Sequence, residues 1–293
     1  MTGPPAATAA VRLAVRRSLA GVDGPVTAAV SGGADSLALA AALAFERPGA
    51  GAVVVDHGLQ PGSGQVAARA AAQCVSIGLE ASVLTAAVTA SGGGPEAAAR
   101  AVRYALLGEV DGTVLLGHTR DDQAETVLLG LVRGSGARAL SGMAPVRGRY
   151  RRPLLDLTRA TVRQACLEAG LEPWDDPHND EPSYTRVRVR QLLAGLDLAD
   201  GLARSARLLR EDADALDALA SPEHEVRRLE ELPPALRSRS LKLWAERESG
   251  QAVTSAHVDA LRALVEDWKG QGPVALPGGG RVVRENGRLA FRQ

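Results

Sequence analysis

The segment Ser31-Gly32-Gly33-Ala34-Asp35-Ser36 has the residue types of an anion cradle. Adjacent glycines let backbone N–H groups come close to a phosphate. Ser31 and Ser36 add hydroxyl donors. A helix starting just after the loop would aim free N–H groups and its positive dipole end at the same spot. No lysine follows, so this is not a Walker loop, and the Gly-x-Gly-x-x-Gly pattern is absent too. Asp35 is unusual beside a bound phosphate, and makes chemical sense as a ligand to Mg2+ on a nucleotide. The same spacing also fits a plain turn whose Ser or Asp caps a helix.

A second cluster is acidic. Asp121 and Glu125 are four apart, Asp122 and Glu125 three apart, so on a helix they are neighbours. Acids in a first helical turn favour the dipole, which is the structural reading. Converging at a strand end beside His118, they also suit an ammonium, a Mg2+ ion, or a proton leaving an amine.

Basic residues supply the third set. Glu96, Arg100 and Arg103 lie on one predicted helix, as a surface ion pair or as a contact to phosphate or RNA. Arginines at 133, 138, 147, 149, 151, 152, 159 and 163 face one acid, Asp156. That local excess in a neutral chain fits an RNA footprint, or a solvated face. Arg186, Arg188 and Arg190 alternate, so an extended segment would point all three to one side. A guanidinium there suits a transferring phosphate. Trp174 and Tyr184 have the rings to stack an extruded base, although core positions are the plainer reading.

These residues need a scaffold that brings loops together. A helix is expected at 8–20 and a buried strand at 26–30. The glycine loop then leads into an apolar helix at 37–45. The alternation continues with strands at 52–56, 81–84 and 113–117 and helices near 64–78, 96–110 and 121–133. A fifth strand is expected near 149–154 and a helix at 159–169. This pattern predicts an α/β domain with a parallel sheet and helices on both faces. After about residue 195 it changes to helices at 202–219, 234–248 and 254–267, then a β-meander at 274–276, 281–284 and 289–291. The expected division is 1–196 and 197–293, the second part a smaller α+β domain.

Bulk properties narrow the class. The 293 residues are 45% hydrophobic but only 3% aromatic, so the core must be built from Ala, Val and Leu. Net charge is +0, which excludes a generally basic nucleic-acid coat but not a local basic face. Cys74 and Cys166 stand alone, too few for a zinc ribbon or an iron–sulfur cluster. They read as small buried hydrophobes in a reducing compartment. No apolar run reaches the roughly 20 residues of a membrane span, and the expectation is a soluble, cytoplasmic protein.

The 28–36 segment resembles the SGGxDS signature of the PP-loop ATP pyrophosphatases. Further motifs resemble the tRNA(Ile)-lysidine synthetase family. They are Val55-Asp56-His57-Gly58-Leu59, the helix Glu96 to Tyr104, Gly117-His118 through Thr126, Arg133-Gly134-Ser135-Gly136, Gly142-Met143, Arg152-Pro153-Leu154-Leu155 and Asp176-Pro177-His178-Asn179. The match runs over about 26–193 in order. One departure stands out: Val187 occupies the place of the family's Asn between two arginines.

The resemblance implies ATP and Mg2+ as cofactors, with nucleotide contacts at Ser31 to Ser36, Asp56, His57, Gly117 and His118 and metal at Asp35. It implies catalysis by Asp35, Asp121, Asp122, Glu125 and Arg188, and substrate contacts at Glu96, Arg100, Arg103, Arg133, Arg186 and Arg190. The implied partners are free L-lysine and an isoleucine tRNA with a CAU anticodon, gripped in part by the second domain; a homodimer is compatible. The expected reaction adenylates the wobble cytidine and replaces AMP by lysine. The alternatives are a PP-loop tRNA thiolase, which the isolated cysteines count against, and a nucleotide-binding or tRNA-binding module without turnover.

Overall fold

A computed structural model describes residues 3–56, 58, 62–86, 95–175 and 185–293, with the backbone alone at 95–97, 99, 185, 186, 194 and 196. Strand β1 (Val26–Val30) is an apolar run with four of its five residues buried. It pairs in parallel with β2 (Gly51–Asp56) on one side and β4 (Thr113–Leu116) on the other. Beyond β2 lies β3 (Glu80–Thr85). Beyond β4 lie β5 (Val146–Arg147) and β6 (Tyr150–Arg151), giving the order β3-β2-β1-β4-β6-β5. All pairs are parallel except β5 with β6.

The period-2 alternation of side chains divides the sheet between two cores. Ala28, Val30, Ala52, Val54 and Leu115 face one side, where they meet α1 (Ala6–Ser18), α2 (Ala34–Glu46), α3 (Ser63–Ser76) and α7 (Arg159–Glu168). Ala29, Val53, Val114 and Leu116 face the other, against Tyr104 and Leu107 of α4 (Pro95–Gly108). Helices cover both faces, as expected. Leu37, Leu39 and Leu43 of α2 are fully buried, each stabilising by about 1.5–3 kcal/mol. The loop ahead of α2 therefore stands on a buried base.

Two expectations need correction. The fifth strand at 149–154 shrinks to β6, because Pro153 has no N–H to give a sheet ladder. The segment carrying Arg186, Arg188 and Arg190 is not extended: Thr185–Leu196 is helix α8. The alternating Arg–Val pattern imitates a strand, but Val189 and Leu193 pack with Ala124 of α5 (Arg120–Val132). Arg188 and Arg190, two apart on a helix, leave from different sides of α8. A short helix, α6 (Ala137–Leu140), follows α5.

The chain divides into two compact units, Met1–Leu208 and Leu209–Gln293, and the division falls inside the long helix α9 (Ala199–Leu219). The second unit holds α10 (Val226–Glu231), α11 (Pro234–Ser249), α12 (Ser255–Glu266) and the antiparallel sheet β7 (Val274–Ala275), β8 (Arg281–Glu285) and β9 (Arg288–Arg292). Its own core joins Leu229, Leu241, Trp244, Leu261, Leu264, Val282 and Leu289.

Candidate active site

The strand order reverses direction at β1. The chain moves outward from β1 through β2 to β3, then returns to place β4 on β1's other flank. Ligands of such sheets bind at this switch point, outside the carboxyl ends of the strands. Both sequence clusters start there: the glycine loop follows β1 and Gly117-His118 follow β4.

The loop is closed by its own last residue. Ser36 is buried; its hydroxyl donates to the Gly33 carbonyl at 2.9 Å and accepts from the Ser31 N–H at 3.1 Å. The Ser36 hydroxyl thus shapes the cradle from beneath. Gly32 has φ +86, a conformation that side chains resist, and its carbonyl accepts from the Trp174 N–H at 2.9 Å. Gly33 caps α2 without any side-chain bond, which leaves first-turn N–H groups for an anion. A Cβ on Gly117 would stand 3.0 Å from the Asp35 carbonyl oxygen. A glycine lets the β4 turn pass this close to the start of α2 without displacing it.

Asp35 projects from that first turn. Burial, reinforced by the charges of Asp122 and Asp121, pushes its carboxyl up to about 7, with Arg159 opposing. Its Oδ1 is buried without a hydrogen-bond partner among the described residues. Among these residues no three His, Cys, Asp or Glu side chains are grouped to hold a metal ion. An orphaned carboxylate oxygen beside a phosphate cradle fits Mg2+, which takes one or two protein oxygens and fills its shell with phosphate and water.

The acidic cluster is built on α5. Thr119 and Asp122 form a capping box: the Asp122 carboxylate accepts from the Thr119 N–H at 2.8 Å. Arg159, the first residue of α7, crosses to this cluster. Its Nη2 donates to Asp122 at 2.7 Å and to Glu125 at 3.0 Å, and its Nε lies 3.9 Å from Asp35. Its backbone N–H donates to Asp121 at 2.7 Å. Glu125 is 5% exposed and also accepts from Arg190 of α8 at 2.8 Å. Burial works to raise the Asp122 carboxyl, yet Arg159 and the Thr119 bonds outweigh it and hold Asp122 below the usual carboxylate range.

A cationic side adjoins it. Desolvation, with the charges of Arg103, Arg152 and Arg100, drives His118 down to about 4 against the opposing pull of Asp122. The imidazole is neutral at pH 7, and its Nδ1 is buried without a partner among the described residues. The Tyr104 hydroxyl stands 3.5 Å from Arg100 and 3.4 Å from buried Arg152. Desolvation also lowers Arg103.

The structure thus gathers Asp35, Asp121, Asp122, Glu125 and Arg190 into one cluster, with His118 next to it. Asp56 caps its own turn, accepting from the Gly58 N–H at 3.0 Å. Arg133 is exposed at the C-cap of α5, and Arg188 is exposed on α8. His57, Tyr184 and the 176–179 motif lie outside the described residues, as do the Glu96 and Arg186 side chains. Sequence reasoning left Arg159 among the RNA-facing arginines. The available signal was a cation at a helix start, where the dipole disfavours it. The Gly142-Met143 motif also gains a reason: Gln123 pairs its amide with both backbone groups of Met143, at 2.7 and 3.0 Å.

A parallel sheet with a lysine-free phosphate loop at its switch point, backed by an Asp and a neighbouring acidic helix, defines a PP-loop ATP-utilising protein. Residues 16–196 match the PP-loop domain family, and residues 225–290 the TilS substrate binding domain. The tRNA(Ile)-lysidine synthase of Leifsonia xyli subsp. xyli is 51% identical over 292 residues, covering 89% of this chain and 88% of its own. That of Thermobifida fusca is 48% identical, covering 99% and 98%. The chain belongs to the tRNA(Ile)-lysidine synthase family. Among solved structures, the U34-tRNA thiolase NcsA of Methanococcus maripaludis, which carries an iron–sulfur cluster, aligns with a TM-score of 0.58 over 70% of this chain and 80% of its own. At 18% identity that likeness is one of fold alone.

Proposed function

We propose that this enzyme joins free L-lysine to C2 of the wobble cytidine of an isoleucine tRNA with a CAU anticodon, using ATP and releasing AMP and diphosphate. The observation that carries the reading is the meeting of the open α2 N-terminus and Asp35 with the α5 carboxylates at one switch point. The α2 N–H groups hold the ATP phosphates. Asp35 is the residue that would hold Mg2+, which supplies charge neutralisation on the phosphates when bound.

The cytidine 2-oxygen attacks the α-phosphate and the bond to diphosphate breaks. An oxygen that leaves poorly is thereby turned into AMP. The lysine amine then attacks C2, the C–O bond breaks, and AMP departs. Asp122 and Glu125 hold the amine. Asp121, which accepts from the Arg159 backbone N–H on one oxygen, takes the proton on its other oxygen. Arg190 keeps Glu125 in place. Arg100, Arg103, Arg133, Arg186 and Arg188 serve the RNA and the transferring phosphate. An anticodon loop makes the base accessible without melting a duplex. The cytoplasm is the compartment that fits this reading.

A tRNA thiolase is the second reading, and it loses support here. Cys74 and Cys166 are both buried, and desolvation pushes both thiols up to about 11, far from a reactive thiolate. Replacing both by Ala should leave lysine incorporation within about twofold. Loss of all tRNA modification in a folded double variant would favour the thiolase.

A further inference from the structure

Arg159 occupies a position that the reaction scheme above does not use. One guanidinium bridges Asp122 and Glu125 by hydrogen bonds and stands beside Asp35, while the same residue's N–H holds Asp121. Four carboxylates from two elements therefore converge on one residue of a third. The element that delivers it is anchored: Val162, Ala165 and Cys166 of α7 are buried against the α1–α2 side of the sheet. Arg159 also begins a helix, where a cation faces the dipole. The Thr158 cap already satisfies that helix end through the Thr161 N–H, so α7 itself does not call for an arginine.

The bond lengths separate two jobs. Asp122 and Glu125 are within hydrogen-bond reach at 2.7 and 3.0 Å, whereas Asp35 stands at 3.9 Å. Arg159 thus fixes the α5 carboxylates more tightly than the phosphate side. Both bonds leave from Nη2, while Nε of the same rigid plane faces Asp35, so the guanidinium fixes their directions in a way that a lysine ammonium on a flexible stem does poorly.

We propose that Arg159 is a positioning residue for the amine: it orients Asp122 and Glu125 for the incoming lysine and contributes less to adenylation than to lysine capture. This rests on the reading that the α5 carboxylates receive the amine. With tRNA and ATP present, Arg159→Ala should raise the KM for L-lysine roughly tenfold to a hundredfold, the range of a lost charge-assisted contact. Lysine-independent AMP–tRNA formation, which Arg159 reaches only through its 3.9 Å approach to Asp35, should fall by a clearly smaller factor than the lysine KM rises. Arg159→Lys should recover lysine KM only in part, and guanidinium ion added to Arg159→Ala should lower that KM. Thermal melting confirms that each variant is folded; should Arg159→Ala fail to fold, Arg159→Lys alone decides. A lysine KM equal to wild type in Arg159→Lys, or an equal loss in both half-reactions, overturns the proposal. A wild-type enzyme that adenylates tRNA but takes no lysine overturns the underlying reading instead, and the proposal with it.

Discussion

Asp35 carries two features that motif spacing does not contain, a buried oxygen without a partner and a carboxyl raised to about 7. Its change to Ala should cut tRNA-dependent diphosphate release at least about a hundredfold, as expected for a lost charge-organising group. Full activity in a folded Asp35→Ala protein would remove the metal role. His118 makes a prediction of stability. Its folded pKa of about 4 lies below the ordinary 6.5, so between these values the unfolded chain binds more protons. The stabilising contribution is complete above about pH 6.5 and is lost as pH falls towards about 4. Urea midpoints at about pH 7.5 and about pH 5 should therefore differ less in His118→Gln than in wild type. Arg159 shows what sequence hides at this scale. Its partners Glu125 and Asp122 are 34 and 37 positions away, and no periodicity reports a pairing across three elements.

At the scale of elements, the phosphate loop was readable because its causes are local. A buried strand, two glycines and an apolar helix follow one another directly in the chain. The acids of α5 were readable for the same reason, since spacings of three and four put them together on any helix. Helix α8 was not. Arg and Val alternate over 186–190, and the helix shows itself in tertiary packing, with Val189 and Leu193 on Ala124. Val187, where the family has Asn, is buried in it, so the apolar residue suits its surroundings. Gly117 tests how two elements cooperate. In Gly117→Ala the new methyl would meet the Asp35 carbonyl oxygen at 3.0 Å and its carbon at 3.1 Å. The start of α2 must shift, at a cost of about 1–3 kcal/mol. The KM for ATP should rise about tenfold while the lysine KM changes little, as read by steady-state kinetics. An unchanged ATP KM would place the nucleotide elsewhere.

The whole molecule joins a nucleotide-binding unit to a second unit with its own core. The change of pattern near residue 195 announced two parts, but the division at Leu208 inside α9 depends on contacts no composition reveals. Residues 225–290 match a substrate binding domain, and tRNA is the partner we assign to them. A chain ending at residue 219 should keep ATP binding and weaken tRNA binding at least about tenfold in a filter assay. Among the described residues no helix is long and apolar enough to cross a membrane. The central claim is that one site both adenylates tRNA and passes the activated carbon to lysine. The most direct measurement follows labelled L-lysine, AMP and diphosphate together, with purified enzyme and a CAU-anticodon isoleucine tRNA. The account predicts equal amounts of tRNA-bound lysine, AMP and diphosphate. AMP and diphosphate formed without lysine in the tRNA would contradict it.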